Sequence, residues 1–264
     1  MIDLLFFFVS FLASTIGGIC GVGGGIIIKP VLDATQAMTV SGVSFLSGCT
    51  VLSMALVSFL RNRSTGGLLS FRTSTPLAVG AVFGGFAGKG LFDYAKAQFT
   101  QESSLGALQA GLLFVVLLIP LVHTCCGSRM RTFHIESLVL CGVVGILLGG
   151  LSAFLGIGGG PINLTVLAIL FSMDVKKAAA NSLYIILFSQ LASLVQVFAT
   201  QSIPPVGFVP LAATIIGGIG GGLLGNGIYR KISTKTVQRL FLGFIVLVLI
   251  INTYNLLRFT QFIV

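Results

Sequence analysis

Apolar positions along the chain gather into long unbroken runs. They show neither the alternation of a half-buried strand nor the narrow stripe of a surface helix. Eight runs approach or exceed the roughly 20 residues a helix needs to cross a hydrocarbon core. They cover 2–20, 38–60, 76–92, 104–122, 136–155, 178–199, 206–228 and 237–257. Two shorter runs, 26–32 and 161–173, follow directly on glycine clusters and cannot cross alone. The segments between runs are short. The pattern therefore predicts an all-α polytopic membrane protein of eight long and two short helical segments, without a separate soluble domain.

The clusters themselves, "GVGGG" at 21–25 and "GIGGG" at 156–160, are poor helix sequence. Each glycine costs about 1 kcal/mol against alanine in a helix interior. Their spacing is one of several matches between the halves. "VL" at 31 recurs at 166, "PLA" at 76 recurs at 210, and "GKGLF" at 88 resembles "GNGIY" at 225. "ALQAGLLFVVLLI" at 107 likewise resembles "RLFLGFIVLVLII" at 239. Two repeats, 1–127 and 128–264, are expected.

Composition agrees: 55% of residues are hydrophobic and 8% charged, too few charges for the surface of a soluble domain of 264 residues. The net charge of +9 then reads as loop Lys and Arg on the cytoplasmic side, not as a nucleic-acid surface. The first run opens on Asp3 without a basic flank, so it is expected to be a retained span and not a signal peptide.

Charge also decides topology. Simple alternation of eight spans divides the cations six against nine. If the chain instead turns back at each glycine cluster, Arg61, Arg63, Arg72, Arg129, Arg131, Lys176, Lys177, Arg230, Lys231, Lys235 and Arg239 share one side. Lys29, Lys89, Lys96 and Arg258 stand opposite, a bias of eleven against four. Each half then crosses an odd number of times. The expectation is two inverted-topology repeats, each a helix pair broken at a GxGGG turn plus three spanning helices, with both termini outside. A return run of about 11 residues is roughly 16 Å long, which places the glycine turns at membrane depth.

Irregular backbone survives there only inside protein or beside a watered cavity. A short helix begins after each cluster, presenting unpaired N–H groups and a positive dipole end. Two such ends meeting across an inverted repeat suit a small anion. The expected substrate-binding residues are Gly23, Gly24, Gly25, Gly158, Gly159 and Gly160, joined by Asn163, Ser44, Asn181 and Ser182 as polar donors. Lys29 is a cation that either balances the anion or snorkels to the interface. Tight helix packing is the plainer reading for the glycines at 84–90 and 217–227. Asp33 and Asp174 suit a coupling proton or, more simply, a loop acid or helix cap.

Other chemistry is poorly supported. The soluble phosphate-loop patterns fail, since GxxxxGK[ST] is absent and G-x-G-x-x-G breaks at Ile26 and Pro161. The five cysteines (Cys20, Cys49, Cys125, Cys126, Cys141) lack metal-ligand spacing. His123 and His134 flank a basic loop with no catalytic or metal set beside them. No cofactor, no metal and no enzyme activity are expected.

The duplicated "GVGGGIIIKP" and "GIGGG", each followed by a short apolar run, resemble the sulfite exporter TauE/SafE family of membrane transporters. "DVKKAAANSL" at 174–183 adds to the likeness, and "MTVSGVSFLS" at 38–47 is a looser first-half counterpart. Pro30 matches the family's proline after the cluster. In the second half Thr165 stands there instead, and Pro161 directly follows the glycines. The resemblance implies secondary transport of sulfite, sulfonates, thiosulfate or a similar small anion across the bacterial inner membrane. Alternating access of the two halves around the site is the expected mode, with protons as a candidate coupling ion. A passive anion channel built on the same half-helices is the alternative.

Overall fold

A computed structural model describes residues 2–63, 69–99, 101–126 and 132–260. Arg129 and Arg131 of the charge count lie outside the described residues, as do the side chains of Arg63 and Cys126. Among the described residues the chain forms ten helices and no strand. The first five are α1 (Ile2–Cys20), α2 (Gly25–Thr35), α3 (Val40–Arg63), α4 (Phe71–Gln98) and α5 (Glu102–Cys126). The second five are α6 (Leu138–Leu155), α7 (Gly160–Phe171), α8 (Val175–Ala199), α9 (Phe208–Tyr229) and α10 (Thr234–Phe259). Eight are long and apolar enough to cross a membrane. The other two, α2 and α7, have 11 and 12 residues and follow the glycine clusters.

Local chemistry sets the ends of these helices. Asp174 accepts from the Lys177 N–H at 2.9 Å and Ser233 from the Thr236 N–H at 3.2 Å, starting α8 and α10 with N-caps. Pro161 occupies the first turn of α7, where its missing N–H costs nothing. Both short helices stop at a left-handed residue that is not glycine, Gln36 at φ 50° and Ser172 at φ 49°.

Packing relations recur between the two sets of five. On α4, Gly80, Gly84 and Gly88 sit against Gly142, Ile146 and Gly150 of α6. On α9, Gly217, Gly221 and Gly225 sit against Phe7, Phe11 and Thr15 of α1. Both pairs run in the same direction along their partner. Glycines four apart let two backbones meet where lipid supplies no hydrophobic drive for association. Across the molecule α3 and α8 run in opposite directions. Phe45 meets Phe198 at 6.3 Å between ring centroids near one end, and Phe59 meets Tyr184 at 5.3 Å near the other. Helices α5 and α10 are likewise opposed: Gly106 lies beside Phe259, and Asn252 Nδ2 donates to the Ala110 carbonyl at 2.7 Å.

The helix ends gather on two faces. One holds the start of α1, the turns at 36–39 and 200–207, and the end of α10. There Arg258 donates to the Ala34 carbonyl and Glu102 accepts from the Val40 N–H. The other holds the ends of α3 and α9 with the starts of α4 and α8. It carries Arg61, Arg72, Lys176, Lys177, Arg230, Lys231, Lys235 and Arg239. We call these the termini face and the basic face.

Candidate functional site

The two glycine turns cross at the centre of the molecule in direct backbone contact. A Cβ on Gly160 would overlap the Val22 carbonyl of the first turn. A Cβ on Gly25 would lie 2.7 Å from the Ile157 carbonyl of the second. Gly23 and Gly158 pack against the same two side chains, Val51 of α3 and Ile186 of α8. Every residue from Gly17 to Pro30 and from Ser152 to Thr165 is buried. The glycines therefore fit backbone to backbone, and their faces are filled by protein.

Room for a ligand lies beside this crossing. A cavity of about 520 Å³ opens between α3, α4, α8 and the turn at 202–205 on the termini face. It reaches inward to Gly156, Gly48 and Gln190, and its size falls in the usual range for small-molecule sites. Ser41 and Ser44 line it with hydroxyls that are buried and have no hydrogen-bond partner. Gln190 Nε2 donates to Ser152 Oγ at 3.1 Å. The deeper cation of the cavity is Lys89, whose Nζ lies 2.5 Å from Asp93 Oδ1 and 4.5 Å from the centroid of the Phe92 ring. Lys96 lines the mouth. Lys89, Lys96, the hydroxyls of Ser41 and Ser44 and the Gln190 amide bring donors to this space, and the Asp93 carboxylate is its one fixed negative charge.

The cavity stops short of the basic face. Below it Val51, Met54, Ala55, Leu183, Ile186 and Leu187 form a buried apolar cluster. Beyond that cluster, polar ties close the helix ends. Asn226 Nδ2 donates to Ser58 Oγ at 2.7 Å, and Tyr229 Oη donates to the Lys176 carbonyl at 2.9 Å. Arg61 donates to the Leu223 carbonyl at 2.7 Å, and Arg230 to the Arg61 carbonyl at 2.8 Å. The match of "GKGLF" to "GNGIY" pairs Lys89 with Asn226 and Phe92 with Tyr229. One member of each pair lines open space and the other is tied into closed packing.

Of the residues singled out from sequence, Ser44 lines the cavity, whereas Gly23, Gly24, Gly25, Gly158, Gly159 and Gly160 do not. Gly156, the first glycine of the second cluster, does. Lys29 is buried and paired with Asp33 at 2.9 Å on α2, outside the cavity lining. Asn163 and Ser182 are buried in the glycine-turn region with Asn163 Oδ1 and Ser182 Oγ unpartnered. Asn181 Oδ1 accepts from the Ser70 N–H at 3.0 Å and from Ser74 Oγ, tying the start of α4 to α8. Asp174 is the cap of α8.

Sequence reasoning passed over Lys89 and Asp93. Both lie toward the end of a span, where charges read as interfacial, and the glycines around Lys89 read as packing. Both readings hold for their own atoms, since Gly88 packs on α6 while Lys89 turns into the cavity. The available signal was a lysine inside a glycine-rich span with an aspartate four residues later, spaced to meet on one helix face.

Among the described residues no group of three His, Cys, Asp or Glu side chains could hold a metal. The family model described as sulfite exporter TauE/SafE matches residues 6–251. The probable membrane transporter protein YunE of Bacillus subtilis is 25% identical over 248 residues, covering 86% of this chain and 88% of its own. The probable membrane transporter protein MJ0441 of Methanocaldococcus jannaschii is 26% identical over 247 residues, covering 89% of each. No solved structure matches.

Proposed function

The chain belongs to the sulfite exporter TauE/SafE family of membrane transporters, and on that premise we propose that it is a secondary transporter of small oxyanions by alternating access. The observation that carries this reading is the cavity itself, lined by two ammoniums against one carboxylate and open at the termini face while the basic face is closed. Sulfite, a sulfonate or thiosulfate has the size and charge for Lys89, Ser41, Ser44 and Gln190. The two glycine turns act as the rigid floor on which the halves meet, and Gly156 is the point where that floor touches the ligand.

In this reading 1–127 and 128–264 are inverted repeats in the membrane. The opposed directions of α3 and α8, and of α5 and α10, support it. The positive-inside rule puts the basic face in the cytoplasm, so both termini and the open cavity face outward from a bacterial inner membrane. The return stroke exchanges roles between the halves. The ties at Asn226 and Tyr229 open while Lys89 and Phe92 close. A passive channel needs a continuous path, and the apolar cluster around Val51 and Ile186 interrupts one.

The test is a panel of sulfite, thiosulfate, sulfate, methanesulfonate and chloride scored by thermal stabilisation of the purified protein. Uptake of each hit into vesicles, with and without a pH step, follows. Selective stabilisation by an oxyanion with accumulation against its gradient is expected. Flux that only equilibrates refutes a transporter and supports a channel. Absence of stabilisation by every anion refutes the anion site.

A further inference from the structure

The cavity holds one carboxylate, Asp93, and it occupies the place an anion should take. Lys89 is the deeper partner at 12% side-chain exposure and Asp93 the shallower at 31%, with 2.5 Å between their charged atoms. The other titratable group among the lining residues is Lys96, also on α4. Helix α3 contributes Ser41 and Ser44, α8 contributes Gln190 and Ser193, and the turn before α9 contributes Ser202, all neutral. An oxyanion drawn to Ser41, Ser44 and the Lys89 ammonium meets a second negative charge already bound there. Two anions around one ammonium in a partly enclosed site repel each other.

We propose that Asp93 is a proton site coupled to the anion: the anion displaces the Asp93 carboxylate from Lys89, and Asp93 takes up one proton from the solution that fills the cavity. The donor is hydronium or a buffer acid, whose bond to the proton breaks as the carboxyl O–H forms, and no other covalent bond changes. The cavity gains one anion and one proton. By linkage, proton binding to Asp93 must favour the anion as much as the anion favours the proton. The positions of α9 matched to Lys89 and Asp93 by the repeat, Asn226 and Arg230, carry no carboxylate. Coupling is therefore built into one half alone. This inference rests on the cavity being the anion site.

The experiment measures binding of thiosulfate and methanesulfonate to the purified protein by titration calorimetry across pH, in buffers of different ionisation enthalpy. For the wild type, affinity should rise as pH falls, by up to about tenfold per pH unit, with close to one proton taken up per anion. D93N should bind more tightly at neutral pH, without pH dependence and without proton uptake. D93S serves as the second variant should D93N not fold. K96Q should keep the proton uptake, and K89Q should lose binding. Proton uptake unchanged in D93N overturns the proposal. So does loss of binding in D93N and D93S at unchanged melting temperature, because Asp93 then orders the site. If K89Q binds both anions like the wild type, or if neither anion binds any variant, the anion reading of the cavity fails with it.

Discussion

Replacing Gly160 by alanine adds one methyl group at the most crowded point of the molecule. That methyl would overlap the carbonyl carbon, oxygen and Cα of Val22. The obstacle is backbone, so no rotamer change relieves it. Val22 is flanked by Gly21 at φ 73° and Gly23 at φ 71°, and its N–H is tied to the Gly17 carbonyl at 3.0 Å, so the first turn has little freedom to retreat. Overpacking of a well-fitted interior costs about 1–3 kcal/mol, and the absence of a flexible neighbour puts this site at the upper end. Gly160 opens α7 at a φ that is not positive, so alanine adds no backbone strain of its own, and at a first helical position it recovers little propensity. The expectation is a loss of about 2–3 kcal/mol, corresponding to roughly 4–12 °C in Tm for a chain of this size. Gly243 on α10 is the control, because a Cβ there meets nothing within 4 Å. G243A should melt at or slightly above the wild-type temperature. The assay is thermal unfolding of detergent-purified protein, repeated with saturating anion. G160A and G243A melting together would refute direct contact between the turns. A G160A protein of wild-type Tm that lost stabilisation by an anion would return the binding site to the glycine backbone.

The Lys29–Asp33 pair, with side chains 3% and 8% exposed, is expected to act as a staple. K29M should cost about 3–5 kcal/mol by stranding a buried carboxylate, and the K29M/D33L double variant should recover most of that Tm. N181A removes the acceptor for the Ser70 N–H and the Ser74 hydroxyl. It should lower stability by about 1–3 kcal/mol and leave anion affinity unchanged, whereas lost affinity at unchanged Tm would place Asn181 in the site. Single cysteines at the exposed positions Thr35 and Asp174, in a background without native cysteines, should be labelled from opposite sides of the membrane. Labelling from one side would refute the turned-back path at the glycine clusters.

Sequence alone determined the number of helices and their bounds to within four residues, except for α4, which starts five residues before and ends six after the apolar run at 76–92. In a membrane, each span must satisfy its own backbone, so apolar length and glycine punctuation are nearly sufficient. It also determined that the chain breaks at 21–25 and 156–160, because five-residue stretches holding four glycines cannot be ordinary helix. Tertiary structure decided what those breaks touch. The pattern of Gly160 suits a ligand cradle and a close backbone crossing alike, and only the fold shows that the Val22 backbone lies against it. Lys29 and Lys89 look alike in sequence, each four residues before an aspartate. One is buried with Asp33 on α2, and the other faces a cavity among Ser41, Ser44 and Gln190. Which helix face meets protein and which meets open space depends on how α3, α4 and α8 are set against one another. Those relations join residues from about 45 to more than a hundred positions apart, and no local pattern of apolar and polar residues records them.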